Sequence, residues 1–455
     1  MAAGRNDPGD RLYERLRRCE GSVVDRLTRF ARRRRGETAL AEAAEEFNLG
    51  LLEAGEEPDV QAFVPWFVFD WVPEPRKPGA PSLADAYLLS EAASLSDDER
   101  AFIEAVRREP FSFYEVIESN PGLGLRVRDI LREVESQVIE RTASGTLQKG
   151  DVLYGRVASL SGISMFEGIG SVALPPSWKT ELVRLRRDLR EKAGTITTQA
   201  LREASVDLRR MYLEMRRRAR DRSLPVLQNT DGDPIVFHTL VFRVPSAWEA
   251  FEALKSLARG GTDEDLLHGA AHDSEGRLHK IDLPWLKRGN KVHATWENTV
   301  LGRLLVEGDR LTVEVNSAKR ARRIQAEIRK RLGDGAALLK TETRSVEAAM
   351  AEAKQEDKTP EGRKRRREAE AFQRRPAIQD LVQKQTDAHW KAWVQTKVPA
   401  LGNKTPAEAV ADPGGREMVE ALLTEFERSD SKRPPGQPRL DTAGLRRRLG
   451  LTPGP

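Results

Sequence analysis

The spacing of apolar residues along the chain changes near residue 110, and this change limits the folds that the chain can adopt. Before that point, apolar residues such as Leu12, Leu16 and Val23 recur at spacings of three, four and seven, as in amphipathic helices. After it come short runs rich in β-branched and aromatic residues, at 111–117, 125–130, 137–141, 151–160 and 163–174. Five short strands separated by glycines predict a small barrel or curled sheet.

A second unit with both strands and helices is expected over residues 224–345. Its clearest signal is a pair of alternating apolar runs, 300–306 and 311–315, on either side of Glu307, Gly308 and Asp309. An acidic residue and a glycine between two such runs predict a β-hairpin.

The helix expected after this hairpin spans residues 317–332. Asn316 or Ser317 can cap its start, and Gly333 follows its end. The apolar residues at helical spacing, which predict its buried face, are Ala321, Ile324, Ile328 and Leu332. With a second helix near residue 250, the pattern predicts an antiparallel sheet covered by two helices.

A chain of 455 residues is long enough for several hydrophobic cores. The fold class expected is a multi-domain α+β protein with a helical N-terminal part, a small β-barrel-like unit, an antiparallel-sheet α/β sandwich and a C-terminal helical unit. The boundaries expected are 1–72 (N-terminal helices), 84–178 (helical segment and barrel-like unit), 181–222 (connecting basic helices), 224–345 (sandwich), 351–376 (charged linker or exposed helix), 377–428 (C-terminal helices) and 429–455 (mobile tail).

Cysteine use and hydropathy restrict the cellular setting. Cys19 is the only cysteine, so neither an intrachain disulfide nor a cysteine-based zinc cluster can form. The first twenty residues have no apolar segment, and nowhere do eighteen apolar residues run together. We therefore expect a cytoplasmic protein without a membrane partner.

Positive charge is concentrated in three places although the net charge is only +5. Residues 181–220 hold twelve Lys and Arg against six acids, residues 317–331 hold seven against one, and residues 361–375 hold seven against three. Such clusters predict a surface for nucleic acid or an acidic protein. The alternative is that they are ordinary solvated helix faces.

The first of these clusters has an apolar stripe of its own, which predicts a helix packed on one side. The residues of that stripe are Leu201, Ala204, Leu208, Met211 and Met215. The cations that flank this stripe are Arg209, Arg210, Arg216, Arg217 and Arg218.

A polar connection between two predicted strands is the first candidate binding site. Its candidate residues are Lys287, Arg288, Asn290, Lys291, His293, Trp296, Glu297 and Asn298. The cations can meet phosphates or carboxylates, the tryptophan offers a stacking face, and the asparagines offer hydrogen bonds. The alternative is an ordinary exposed connection.

Two further candidate sites lie at a helix start and at a turn. Asn316, Ser317, Lys319 and Arg320 combine free backbone amides with positive charge, which favours an anion, although simple capping explains the same residues. Asp231 and Asp233 stand two residues apart, as a divalent metal site requires, but Asp-Gly is also a turn signal.

Four sequence motifs resemble an uncharacterised bacterial family known through its SEC-C zinc-binding tail. They are Asn-Thr-Asp-Gly-Asp-Pro at 229–234, Pro-Trp-Leu-Lys-Arg-Gly-Asn-Lys at 284–291, Trp-Glu-Asn-Thr-Val-Leu-Gly at 296–302 and Glu-Val-Asn-Ser at 314–317. The resemblance implies no established activity. The tail itself needs several cysteines, so its zinc site does not carry over to this chain.

A second resemblance lies near the C-terminus. Residues 399–409, with Gly415, Arg416 and Val419, resemble the toxin-binding domain of Xre/MbcA/ParS antitoxins. This resemblance implies a toxin or another protein as partner of residues 377–428.

Taken together, these features favour a non-enzymatic cytoplasmic binding or regulatory protein, with nucleic acid or a toxin as partner and without a cofactor. The chain has no glycine-rich phosphate loop, nucleophile elbow or HExxH motif. The alternative is a metal-dependent hydrolase or nuclease that uses Asp231, Asp233, Glu314 and His293.

Overall fold

The computed structural model describes residues 8–52, 58–73, 79–220, 227–260, 262–289, 298–434 and 437–451. The chain divides into two compact units. The first unit joins Met1–Arg222 with Arg374–Pro455, and the second is Ser223–Gln373. Five of the candidate residues, Asn290, Lys291, His293, Trp296 and Glu297, lie outside the described residues.

The first unit begins with helices, as the apolar spacing predicts. These are α1 (Pro8–Arg35), α2 (Ala39–Asn48), α3 (Val60–Phe69), α4 (Leu83–Glu91) and α5 (Asp97–Arg108). Ser82 and Ser96 start α4 and α5 with complete capping boxes. The aromatic residues of α3, including Phe63, Trp66 and Phe67, are buried in the core that the helices share.

The predicted barrel is confirmed. Its strands are β1 (Ser112–Asn120), β2 (Gly124–Asp129), β3 (Glu135–Ile139), β4 (Val152–Leu160) and β5 (Ile163–Ile169), and they close in the order β1-β2-β3-β5-β4. Neighbouring strands are antiparallel except β3 and β5, which pair at Val138 and Ser164. A Cβ atom at Gly155 would lie 2.7 Å from the carbonyl oxygen of Gly168, so close contact between β4 and β5 requires glycine there.

The basic helices that follow are α6 (Lys179–Ala193), α7 (Thr198–Glu203) and α8 (Ser205–Arg220). Leu201, Leu208 and Met215 are buried, as their spacing predicts. Two of the arginines that flank this stripe, Arg209 and Arg216, are buried as well. The Arg209 guanidinium lies 4.4 Å from the Trp66 ring centre, and Arg216 lies 3.7 Å from Asp59. Aromatic faces and a buried carboxylate compensate for their removal from water.

The second unit is an antiparallel sheet with helices, as predicted. Its elements are β6 (Phe237–Arg243), α9 (Ala247–Leu254), α10 (Asp263–Leu267), β7 (Ala271–His272), β8 (Leu278–Lys287), β9 (Thr299–Glu307), β10 (Arg310–Val315), α11 (Ala318–Leu332), β11 (Ala337–Arg344), α12 (Val346–Glu356) and α13 (Pro360–Gln373). The described strands form one sheet in the order β11-β6-β10-β9-β8-β7. The predicted hairpin is β9 and β10, in which Leu304 faces Val313.

Helices α9 and α11 pack against each other and share one core with the sheet. Ala321, Ile324 and Ile328 of α11 are buried there, as their spacing predicts. The charged segment that follows the sheet is exposed helix: the described side chains of α12 are exposed or partly exposed, and in α13 only Gly362 is buried.

The C-terminal helices belong to the first unit rather than to a separate one. They are α14 (Pro376–Trp393), α15 (Pro406–Ala409), α16 (Pro413–Ser431) and α17 (Thr442–Arg448). Glu417 of α16 binds Lys179 at 2.9 Å and also binds Arg186. Part of the segment that resembles a toxin-binding domain is thus packed against α6.

The tail differs from the mobile segment expected from its proline and arginine content. Helix α17 buries Leu445, Leu449 and, just after it, Leu451 against the core of α14 to α16. Arg446 binds Glu427 of α16 at 2.9 Å. Leu445 and Leu449 stand four residues apart, and together with Leu451 they give this segment enough apolar surface to pack.

None of the described helices has the length and apolar sequence needed to cross a membrane.

Candidate functional site

Residues from the predicted sites meet at one corner of the second unit's sheet. The loop 229–233, the end of β8, the start of β9 and the junction between β10 and α11 all contribute to this corner. In the loop, the Asn229 side-chain oxygen accepts hydrogen bonds from the backbone amides of Asp231 (2.9 Å) and Asp233 (3.1 Å). Asn229 also donates to the Asn316 side chain at 3.4 Å. The loop is therefore held in a turn that points both aspartates at α11.

Arg320 is the centre of this corner. Its side chain is 5% exposed and donates to Asp231 from Nη2 (2.8 Å) and Nε (3.3 Å). Its Nη1 donates to the carbonyl oxygen of Leu301 (3.2 Å) and to the side-chain oxygen of Asn316 (3.0 Å). One guanidinium thus connects the loop, β9 and the start of α11, a geometry that its fixed fork of donors allows.

Asp231 binds two cations at once. Lys287 donates to one carboxylate oxygen, and Arg320 donates to the other. Burial acts to raise the pKa of Asp231, but the hydrogen bonds from Lys287 and Arg320 outweigh it and hold that pKa below its usual value. The carboxylate is therefore ionised at neutral pH.

The residues predicted for a metal and those predicted for an anion bind each other. Besides the Asp231 pairs, Ser317 donates to Asp233 at 3.3 Å and Lys319 lies 4.0 Å from it. Ser317 also caps α11 by accepting from the Arg320 amide, as predicted. The described part of the chain has no group of three His, Cys, Asp or Glu side chains that could hold a metal ion. Glu314, the further ligand considered, faces Arg303 across the β9–β10 pair.

The rest of the predicted recognition loop is only partly described. Arg288 and Asn298 are exposed at its two ends, next to Lys287 and Thr299. The prediction for the five residues between them concerns a segment outside the described ranges, and it stays a prediction.

Next to this corner, α11 presents a row of exposed cations. With about 100° between successive residues, these side chains fall within a stripe of about 120°, opposite the buried face. We call them the α11 basic stripe; they are Lys319, Arg322, Arg323, Arg329 and Lys330. Four of them, Arg322, Arg323, Arg329 and Lys330, form no ion pair with a described residue. Arg323 lies 5.5 Å from the ring centre of Trp285.

Ion pairs neutralise part of the charge of the other two cationic clusters. In the first unit, Arg186 and Arg190 both bind Glu133, and Arg218 binds Glu181 at 2.9 Å. In α13, Arg366 binds Glu370 and Asp357, both at 3.1 Å, and Arg365 binds Glu356. The α11 basic stripe differs because its cations lie on one side of a helix whose opposite side is buried against the sheet.

The first unit contains a cavity that the sequence did not predict. It has a volume of about 1030 Å³ and lies between α1, α3, β5 and residues 140–146. Glu167 of β5 lies against it with a fully buried side chain; neither carboxyl oxygen accepts a hydrogen bond from a described residue, and its protonated form can donate one to the Glu20 carboxylate. Burial, reinforced by the nearby Glu20 carboxylate, raises the pKa of Glu167 to about 8. We call this space the carboxylate cavity.

The only sequence signal for this cavity is an acid inside an apolar strand, between Phe166 and Gly168. Because alternation also permits an outward glutamate at that position, the signal is weak. The partners Glu20 and Arg17 lie on α1, about 150 residues away in sequence, and no local pattern connects them with β5.

Comparison with known proteins gives one similarity. Residues 12–202 match the model of a family of unknown function, DUF7986. This region comprises most of the N-terminal helices, the barrel and the carboxylate cavity, and it ends before the second unit begins. No curated protein and no solved structure matches the chain.

Proposed function

We propose that this chain is a non-enzymatic cytoplasmic binding protein whose second unit contacts nucleic acid through the α11 basic stripe. The observation that carries the proposal is a set of exposed cations on one side of α11 that form no ion pair with any carboxylate in the described part of the chain. Cytoplasmic location is part of the proposal and is supported by the single cysteine, which fits a reducing compartment.

The chemistry of the stripe suits a phosphate backbone. Arginine can donate two parallel hydrogen bonds to a phosphate, and lysine adds a point charge. From Lys319 to Lys330 the helix rises about 16 Å, so its cations can reach successive phosphates rather than a single anion. Such contacts give affinity without reading sequence. Trp248, 51% exposed on the adjacent α9, adds an aromatic face on which a base can stack.

The corner beside the stripe supports the proposal by fixing the helix that carries it. Arg320 and the Ser317 cap hold the first turn of α11. At the other end, Arg331 binds Glu327 at 3.2 Å and donates to Ser256 at 2.6 Å. A helix fixed at both ends presents its cations with little loss of backbone entropy on binding.

The alternative of a metal-dependent hydrolase has less support. Lys287 and Arg320 each occupy one oxygen of Asp231, and these are the two atoms that a metal would have to share. A cation competing for the same carboxylate would have to displace a buried arginine.

The proposal can be tested by fluorescence anisotropy with a labelled DNA duplex, a single-stranded DNA and a single-stranded RNA. The α11 variant replaces four cations by alanine, namely Arg322, Arg323, Arg329 and Lys330. The matched control removes four exposed cations from α13, namely Arg363, Lys364, Arg365 and Arg366.

We expect the full-length protein to bind at least one of the three probes at low salt. The α11 variant should bind at least about tenfold more weakly, whereas the α13 control should stay within about twofold of the unsubstituted protein. Absence of binding to all three probes, or an equal loss in both variants, would contradict the proposal.

A further inference from the structure

The carboxylate cavity of the first unit is lined by more acids than cations. Its charged lining residues are Arg17, Glu20, Asp25, Glu140 and Glu167. Four carboxyl groups thus face one guanidinium. The remaining wall is largely aliphatic, with Val60 and Val64 of α3 among its residues.

The one guanidinium of the lining is already engaged. Arg17 donates to Glu20 at 2.6 Å and to the Phe166 carbonyl oxygen at 3.3 Å. It also lies 3.5 Å from Glu140. Asp25 has its own partner in Arg29. Arg17 therefore compensates two other carboxylates and has no further hydrogen bond for Glu167.

A second arginine near Glu167 does not donate to it either. Arg156 of β4 is fully buried, donates to Asp70 through Nη2, and lies 4.6 Å from the Phe111 ring centre, while its Nε and Nη1 have no hydrogen-bond partner among the described residues. Glu167 is thus a buried carboxyl group at a cavity, and neither Arg17 nor Arg156 donates a hydrogen bond to it. A buried polar group without a partner is costly and rare, and an unfilled ligand site is one physical explanation of it.

We propose that the carboxylate cavity binds a small organic cation with an aliphatic chain and at least one ammonium group. The ammonium group supplies the donors that Glu167 lacks. The methylene groups pack against Val60, Val64 and the neighbouring aliphatic wall. Hydroxyl groups of Thr28 and Thr142 in the lining can accept from further N–H groups.

Binding should be linked to proton release. The charged groups around Glu167 are Arg17 and Glu20 of α1, Glu140 after β3 and Arg156 of β4. In the free protein Glu167 holds a proton at neutral pH because its pKa is about 8. An ammonium group favours the ionised carboxylate, so binding should release this proton and affinity should rise as the pH approaches 8.

The test is calorimetric titration of the full chain with cadaverine and with spermidine. Uncharged 1,5-pentanediol serves as the matched ligand control. Titration in two buffers with different heats of ionisation measures the protons released.

Three variants of the first unit complete the design. Glu167→Gln keeps the shape of the side chain and cannot ionise. Gly21→Leu fills the cavity from α1, where an added Cβ would meet no atom within 4 Å, and leucine also favours a helix. Glu135→Gln, on the exposed edge of β3, is the control.

We expect at least one amine to bind with proton release, and the diol not to bind. Glu167→Gln and Gly21→Leu should each weaken amine binding at least about tenfold, and Glu135→Gln less than twofold. Lack of binding by both amines, equal binding of the diol, or unchanged binding in Gly21→Leu would overturn the proposal. Because Gly21→Leu introduces no clash, the test holds even if Glu167→Gln does not fold.

Discussion

Arg320 and Asp231 bind each other through two hydrogen bonds, at 2.8 and 3.3 Å, and thereby join α11 to the loop that precedes β6. Each was a candidate for a different external ligand, Asp231 for a metal and Arg320 for an anion. In the structure each satisfies the other, with Lys287 on the second oxygen of the carboxylate. The corner is thus a structural support for α11.

This role predicts a large loss of stability in Arg320→Ala. The substitution leaves Asp231 and the Leu301 carbonyl oxygen without their main partner. The free energy of unfolding of the second unit should fall by about 3 kcal/mol. Lys319→Ala, at a side chain that is 71% exposed, should change it by less than about 0.5 kcal/mol. Urea unfolding followed by hydrogen exchange would measure the free energy of unfolding of both variants. An equally small change in Arg320→Ala and Lys319→Ala would rule out the supporting role.

The contact between α16 and α6 predicts a specific dependence on pH. Burial acts to raise the pKa of Glu417, but Lys179 and Arg186 lower it to about 2. A carboxylate with a lower pKa in the folded state adds stability above its unfolded pKa, near 4.3, and loses it as the pH falls towards 2. At pH 7, Glu417→Gln should therefore lower the free energy of unfolding of the first unit by about 3 kcal/mol.

Measurement of the free energy of unfolding as a function of pH has an internal control. The loss in free energy of unfolding caused by Glu417→Gln should shrink steadily between pH 5 and pH 3. Glu45→Gln, at an exposed position of α2, should match the unsubstituted protein at every pH. A deficit that does not depend on pH would show that charge at Glu417 is not its cause.

The packing of α17 predicts that this segment contributes to the free energy of unfolding. Leu445→Ala and Leu449→Ala each remove a buried side chain and should cost about 2–4 kcal/mol. Arg447→Ala, on the exposed side, should cost less than about 0.5 kcal/mol. Thermal unfolding would compare the three. A mobile tail would leave all of them equal to the unsubstituted protein.

The change of stability with pH that is expected from Glu167 has the opposite sign to the change expected from Glu417. Its pKa is raised to about 8 in the folded state, so the unfolded chain loses its proton first and stability falls as the pH rises from about 4 to 8. Glu167→Gln cannot lose a proton, and it should be more stable than the unsubstituted protein by over about 1 kcal/mol at pH 8. The gain should vanish near pH 4. Loss of stability at pH 8 would show that the carboxyl group is satisfied in the folded protein.

The sequence predicted those parts of the fold that depend on local patterns. The runs 111–117 and 125–130 are short and rich in apolar and aromatic residues, and both lie in barrel strands. Ser317 has the side chain and position of a helix cap, and it is one. The positive face of α11 also follows from spacing alone, because Arg322 and Arg329 stand seven residues apart.

What could not be predicted depends on distant partners. Arg209 and Arg216 have the sequence context of solvated residues. They are buried by Trp66 of α3 and by Asp59, the residue that precedes this helix. Glu167 accepts no hydrogen bond from Arg17, which is engaged by Glu20. Hydrophobic period shows which side of an element is buried; it does not show which polar group from another element lies there.

The salt dependence of nucleic-acid binding tests the central claim most directly. For duplex DNA, the logarithm of the binding constant falls linearly with the logarithm of salt concentration, with a slope of about −0.9 for each phosphate neutralised. Replacing Arg322, Arg323, Arg329 and Lys330 by alanine should reduce that slope by about 3 to 4, and the α13 control should leave it unchanged. An equal slope in all three proteins would contradict the assignment of phosphate contacts to α11.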